Sequence, residues 1–137
     1  MSDTQSQETQ PAAWPAGIGA MTLFVEDLPA ARQFYEVAFG LPVFYEDDVS
    51  TVFQFGGTLV NLLHVSAAPE LIEPAAVAPP NAGHRVVYTI EVDNVDAMCA
   101  RLVARGVKLL NGPMDRPWGV RTASFVAPGG HIWEIAR

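Results

Sequence analysis

Hydrophobic and polar residues alternate along this chain in two rhythms, and the pair of rhythms occurs twice. Residues 18–25, ending in Thr22-Leu23-Phe24-Val25, read as a strand. Asp27 then supplies a helix cap, with Pro29 in the first turn. Leu28, Ala31, Phe34, Tyr35, Ala38 and Phe39 follow as a helical stripe that Gly40 ends. An extended run from Pro42 to Glu46, a turn at Asp47-Asp48, a strand over 50–55, a Gly56-Gly57 turn and a strand over 58–65 complete a three-strand meander.

The second half repeats this order. Residues 85–92 predict a strand, and Asp93 or Asn94 caps a helix with apolar positions Val95, Met98, Cys99, Leu102 and Val103. Gly106 stops that helix. Residues 107–111 predict a strand, Gly112-Pro113 a turn, residues 119–126 a strand, and Pro128-Gly129-Gly130 a turn into a last strand over 131–136. Thr22-Leu23-Phe24-Val25-Glu26-Asp27-Leu28 aligns with Thr89-Ile90-Glu91-Val92-Asp93-Asn94-Val95. Gly56-Gly57-Thr58-Leu59-Val60-Asn61 aligns with Gly129-Gly130-His131-Ile132-Trp133-Glu134. Repeated caps, glycine stops and hairpins define a βαβββ unit used twice. The expected organisation is a tail over residues 1–14, then one domain over 15–137. Within it lie repeat one over 18–65, an Ala/Pro-rich linker over 66–84 and repeat two over 85–137.

Composition narrows the function classes. The chain has 137 residues, half of them hydrophobic, which suits one folded domain. Fifteen acidic residues against 8 Lys and Arg give a net charge of −7, so a phosphate backbone is repelled and no nucleic-acid partner is expected. The same charge attracts cations. The uncharged run from Val49 to Pro69 holds Gln54, Gly56-Gly57, Asn61 and His64 and alternates like a hairpin, so no membrane span is expected. No Lys or Arg precedes Arg32, so the basic start of a signal peptide is missing. With the single Cys99, this fits a cytoplasmic protein. There is no phosphate loop, no serine elbow and no cysteine cluster.

The doubled unit resembles the vicinal oxygen chelate superfamily, which includes glyoxalase I, bleomycin-resistance proteins and extradiol dioxygenases. The matching residues are Val25, Asp27 and Leu28, then Arg32, Phe34 and Tyr35, then Pro128, Gly130 and Glu134. The resemblance covers about residues 18 to 136. It implies an α+β fold in which two βαβββ repeats form an eight-stranded mixed sheet, built as two four-stranded sheets curved into a half-open cup with helices outside. It also implies a homodimer whose sites draw on both chains.

Metal-dependent members of that superfamily resemble one another in four ligand positions. By register these fall on Ala20, Asn61, Val87 and Glu134. Only Glu134 is a ligand type, Asn61 offers a carbonyl oxygen, and Ala20 and Val87 have no donor atom. A zinc- or nickel-type site needs several His, Cys, Asp or Glu ligands, so no metal cofactor is expected. A slipped register would bring in His64 or His84, but each sits an odd number of residues from a ligand position and so points to the other face.

Period-two alternation puts Thr22 and Phe24 on the cup face with Asn61. If Val126 pairs with His131, Arg121 and Phe125 join the face of Glu134. Trp118, in the Arg116-Pro117-Trp118-Gly119 turn, is placed either at a dimer seam or on a ligand. A mostly apolar cup with Asn61, Arg121 and Glu134 suits a small organic molecule. The expected function is a metal-independent binding protein that sequesters such a molecule. The alternative is a lyase, isomerase or dioxygenase-like enzyme, with a weakly held metal or none, in which Glu134 is general base and Arg121 binds a carboxylate or oxyanion. A third reading is a structural or regulatory dimer with a vestigial cup. Glu134 has a surface role as its plainer alternative, Asn61 a core amide or hairpin role, and Arg121 a structural salt bridge with Glu134. Trp133 and Cys99 read as core, and Phe53 and Phe55 as strand packing, with one of them lining the cup as the alternative.

Overall fold

The computed structural model describes residues 17–137, so the predicted tail, including Trp14, lies outside the described residues. Repeat one contains β1 (Ala20–Val25), α1 (Leu28–Phe39), β2 (Tyr45–Glu46), β3 (Ser50–Phe55) and β4 (Thr58–His64). A 3-10 turn (Val65–Ala67) and a short helix α2 (Pro69–Ile72) occupy the first part of the predicted linker. Repeat two contains β5 (Val87–Glu91), α3 (Val95–Ala104), β6 (Leu109–Asp115), β7 (Arg121–Ala127) and β8 (His131–Ala136).

The expected α+β architecture is present as two separate four-stranded mixed sheets, ordered β1-β4-β3-β2 and β5-β8-β7-β6. The internal repeat extends to register. Thr22 pairs with Asn61 across the parallel β1–β4 ladder, and Thr89 pairs with Glu134 across β5–β8.

Both helices start as the sequence predicts. The Asp27 carboxylate accepts from the Ala30 N–H at 3.0 Å, and the Asn94 side chain accepts from Ala97 N–H at 2.9 Å. Asn94, not Asp93, is therefore the second cap. Replacing Asn94 with alanine orphans that N–H and is expected to cost about 1 kcal/mol. A lowered urea midpoint at unchanged slope is the expected reading; an unchanged midpoint contradicts the cap.

The helical stripes bury Ala31, Tyr35 and Ala38 on α1 and Val95, Cys99 and Leu102 on α3. Val103, predicted on the second stripe, is instead 55% exposed. The buried helix faces meet one face of each sheet: Leu23, Val25, Phe53, Val60 and Leu62 from the first, Ala123, Phe125, Trp133 and Ile135 from the second. One shared core results.

The two sheets meet face to face across this core. Phe55 of β3 stacks on Trp133 of β8, with ring centroids 5.3 Å apart. Sheets joined edge to edge through β1 and β5 would hold those strands roughly 19 Å apart, four strand spacings. The other face of each sheet, opposite the helices, therefore points away from the core. Asn61 lies on one outward face and Glu134 on the other.

Candidate functional site

Strand β7 decides which residues accompany Glu134. The observed register pairs Ala127, not Val126, with His131, and Ser124 with Glu134. A one-residue slip exchanges the faces of a strand. Thr122, Ser124 and Val126 therefore share the Glu134 face, and the expectation for Arg121 and Phe125 is corrected. Phe125 is fully buried in the core against Phe34 and Phe39. Arg121 sits on the helix side, where its guanidinium donates to Asp96 at 2.9 Å and to Asp115 at 2.9 Å. That hydrogen bonding holds the Asp96 carboxyl below the usual carboxylate range. Arg121 thus makes salt bridges, but with Asp96 and Asp115 and not with Glu134, the partner its plainer alternative assigned.

Strand β6 contains the other departure from expectation. The predicted Gly112-Pro113 turn is a bulge inside a strand that continues to Asp115. Asn111 pairs with Ser124 and Met114 with Thr122, so Gly112 and Pro113 lie opposite Ala123 alone. Residues three apart point to opposite faces of a regular strand; the bulge turns Asn111 and Met114 to the same face.

The chain then closes a tight loop, with Arg116 N–H donating to Val120 O at 2.7 Å and Gly119 N–H to Arg116 O at 3.0 Å. This loop returns the Arg116 side chain over the Glu134 face. Its Nε donates to Thr122 Oγ1 at 2.8 Å and its Nη2 to Asn111 Oδ1 at 3.4 Å. Trp118 stands beside it, the guanidinium carbon 5.9 Å from the ring centroid, and is 70% exposed.

The outward face of the second sheet is thus a polar row, Thr89-Glu134-Ser124-Asn111, with Arg116 above its β6 end. Val87, Val126, Met114 and Trp118 frame it as exposed apolar groups. Thr89 Oγ1 donates to Glu134 Oε1 at 2.8 Å. This fixes one carboxylate oxygen and leaves the other without a side-chain partner among the described residues. The arginine of this face is Arg116, which sequence reasoning passed over. Its signal was there in part: the Arg-Pro-Trp-Gly turn sits at a hairpin tip, where a side chain folds back over a sheet.

The outward face of the first sheet is less polar. Thr22 and Asn61 are paired neighbours there. Asn61 Oδ1 is shielded from solvent and has no hydrogen-bond partner among the described residues, an arrangement that ordinarily calls for a missing partner. Thr22 and Phe24 also line a pocket of about 270 Å³ with Glu26, Pro80, His84 and His131. Burial pushes the His131 imidazole below its ordinary value.

A larger cleft of about 780 Å³ is lined by Met21, Phe39, Phe55, Phe125 and Trp133 from the core side and reaches Val87 and Thr89 at the β5 edge of the second sheet. It contains neither Asn61 nor Arg116 nor Glu134. Its charged groups, Glu91 and Asp93, belong to β5 and the loop after it, so the cleft offers burial but no polar group from the predicted site.

The four family ligand positions lack the donors that a chelated metal needs. Ala20 and Val87 have no donor atom, which leaves one carboxylate and one amide oxygen, Glu134 and Asn61, whether a site forms within one chain or between two. No group of three or more His, Cys, Asp or Glu among the described residues is arranged to hold a metal ion. The residues present do not fit a chelated divalent metal of the family type. His64 is taken up locally, its Nδ1 accepting from the Ser66 N–H at 3.1 Å. Cys99 is buried, and burial pushes its thiol up.

Comparison with known proteins agrees with this architecture. The glyoxalase/bleomycin resistance protein/dioxygenase superfamily model matches residues 17–135. The chain belongs to that superfamily. Among solved structures, it is similar to a glyoxalase/bleomycin resistance protein/dioxygenase from Nocardioides, at 26% identity and TM-score 0.81, covering 98% of this chain and 90% of that one. It is also similar to a glyoxalase-related enzyme from Fulvimarina pelagi, at 26% identity and TM-score 0.75, covering 89% and 88% of the two chains. A lactoylglutathione lyase from Agrobacterium tumefaciens shares the fold at 21% identity and TM-score 0.71, covering 89% and 93%. Comparison with curated proteins gave no match. No helix among the described residues is long and apolar enough to cross a membrane.

Proposed function

We infer that this chain is a metal-independent small-molecule-binding protein of its superfamily, acting as a homodimer in the cytoplasm. The observation that carries the reading is the outward face of the second sheet. It aligns an acid, an amide, hydroxyls and an arginine beside exposed Val87, Val126 and Trp118. A small set of fixed polar groups within apolar surroundings is the usual make-up of a ligand site. The missing donors at Ala20 and Val87 support binding without a chelated metal.

The same geometry supports the dimer. Asn61 and Glu134 face away from each other within one chain, so a cup containing both needs a second copy. The first sheet of one protomer then faces the second sheet of its partner. Exposed apolar side chains on the outward face supply surface for that contact.

The enzyme reading keeps one specific support: Glu134, oriented by Thr89, is placed to accept a proton from a bound molecule. A screen of neutral, anionic and cationic aromatic compounds by thermal shift and tryptophan fluorescence separates the two. The expected result is a saturable ligand recovered chemically unchanged by mass spectrometry. Conversion of the ligand, abolished in Glu134→Gln while binding persists, moves the assignment to the enzyme. A screen with no saturable ligand overturns both.

A further inference from the structure

We propose that Arg116 is the anchor for an organic carboxylate, with the Trp118 ring covering the ligand's aryl body. The proposal rests on the small-molecule-binding reading above and names the ligand class for that same face. Three observations lead to it.

The first is the company Arg116 keeps. The chain has nearly twice as many acids as bases, 15 against 8, and two of its other arginines are ion-paired. Arg32 is held by Glu36 and Glu46, and Arg121 by Asp96 and Asp115. Arg116 has no carboxylate within salt-bridge distance among the described residues. Its described side-chain partners are two neutral acceptors, Thr122 Oγ1 and Asn111 Oδ1. Thr122 is itself 1% exposed, so the Nε contact is fixed by a buried hydroxyl. The Nη1 edge of the fork has no described protein acceptor. A planar guanidinium held on one edge and open on another matches a carboxylate.

The second is the exposed indole next to it. Trp118 lies on the loop that positions Arg116, so one hydrogen-bonded turn presents both a cation and an aromatic face. The third is the polarity of the row. Glu134 repels an anion at the β8 end, about 10 Å or two strand spacings from β6. A carboxylate is thereby directed toward Arg116, and any ligand O–H or N–H toward Glu134. The overall charge of the chain favours a cationic ligand, but this face carries its own fixed cation where the ligand would lie.

Calorimetric titration of the dimer with benzoate, benzamide and benzylamine tests the proposal, because these share a ring and differ in charge. Benzoate is expected to bind, with benzamide and benzylamine at least about tenfold weaker. Arg116→Gln is expected to weaken benzoate about tenfold or more and leave benzamide unchanged. Arg116→Lys keeps the charge without the fork and is expected to fall between. It also serves as the test variant if Arg116→Gln melts early. Benzamide or benzylamine binding as tightly as benzoate overturns the anchor while the binding reading stands. The same holds for benzoate binding that is equal in wild type and both variants. Absence of benzoate binding overturns the proposal outright.

Discussion

Trp133→Ala is expected to destabilise the protein by about 3–5 kcal/mol, a large share of the stability of a domain this size. Trp133 is 2% exposed and touches both halves of the chain. Its ring centroid lies 5.2 Å from Phe39 and 6.0 Å from Tyr35 of α1, 5.3 Å from Phe55 of β3, and 5.1 Å from Tyr88 of β5. Truncation removes its apolar area, leaves a cavity where the two sheets meet, and strips the Tyr35 hydroxyl of its Nε1–H donor at 3.0 Å. Burial already pushes the Tyr35 phenol pKa far up, as expected for a hydroxyl enclosed in the core. Urea denaturation followed by circular dichroism reads the effect. The two repeats share this core, so the variant is expected to unfold in one earlier transition. A loss below about 1 kcal/mol contradicts the shared core.

Gly112→Ala is expected to cost about 2–5 kcal/mol, from a left-handed backbone and from overlap in a packed strand. Gly112 has φ +84, and a Cβ there would lie 2.5 Å from Thr122 O and 2.7 Å from Ala123 Cα. Both neighbours are backbone atoms of a central strand and have no rotamer to yield. Gly56→Ala is the control: its φ is +59 but nothing lies within 4 Å of the added carbon, so only the backbone part of the cost applies. The effect extends to the site, because the bulge at Gly112-Pro113 sets Met114, and with it Arg116 two residues on, on the same face as Asn111. Gly112→Ala should therefore weaken benzoate binding as well as lower the melting temperature, whereas Gly56→Ala should leave binding alone. Equal melting temperatures for the two variants would contradict the observed packing of β6 on β7.

The fold was legible because its signals are local and doubled. Asp27 and Asn94 cap, Gly40 and Gly106 stop, and the Gly-Gly hairpins fix the register of Asn61 and Glu134 in their parallel ladders. What stayed hidden was set by pairing between distant residues. Gly112-Pro113 has the composition of a turn, and only its pairing opposite Ala123 makes it a bulge. The Ala127–His131 pairing was one residue away from the conditional register, and that one residue exchanged Arg121 and Phe125 for Thr122 and Ser124. The arginine on the face of Glu134 is Arg116, not Arg121.

The central claim is that this member of the superfamily binds its ligand without a chelated metal. Elemental analysis of the protein, purified without chelator from cells supplied with nickel, zinc, manganese and iron, tests it most directly. The predicted result is a content of each metal far below one per chain, unchanged in Glu134→Gln. One tightly held metal per chain, lost in Glu134→Gln, would contradict the account.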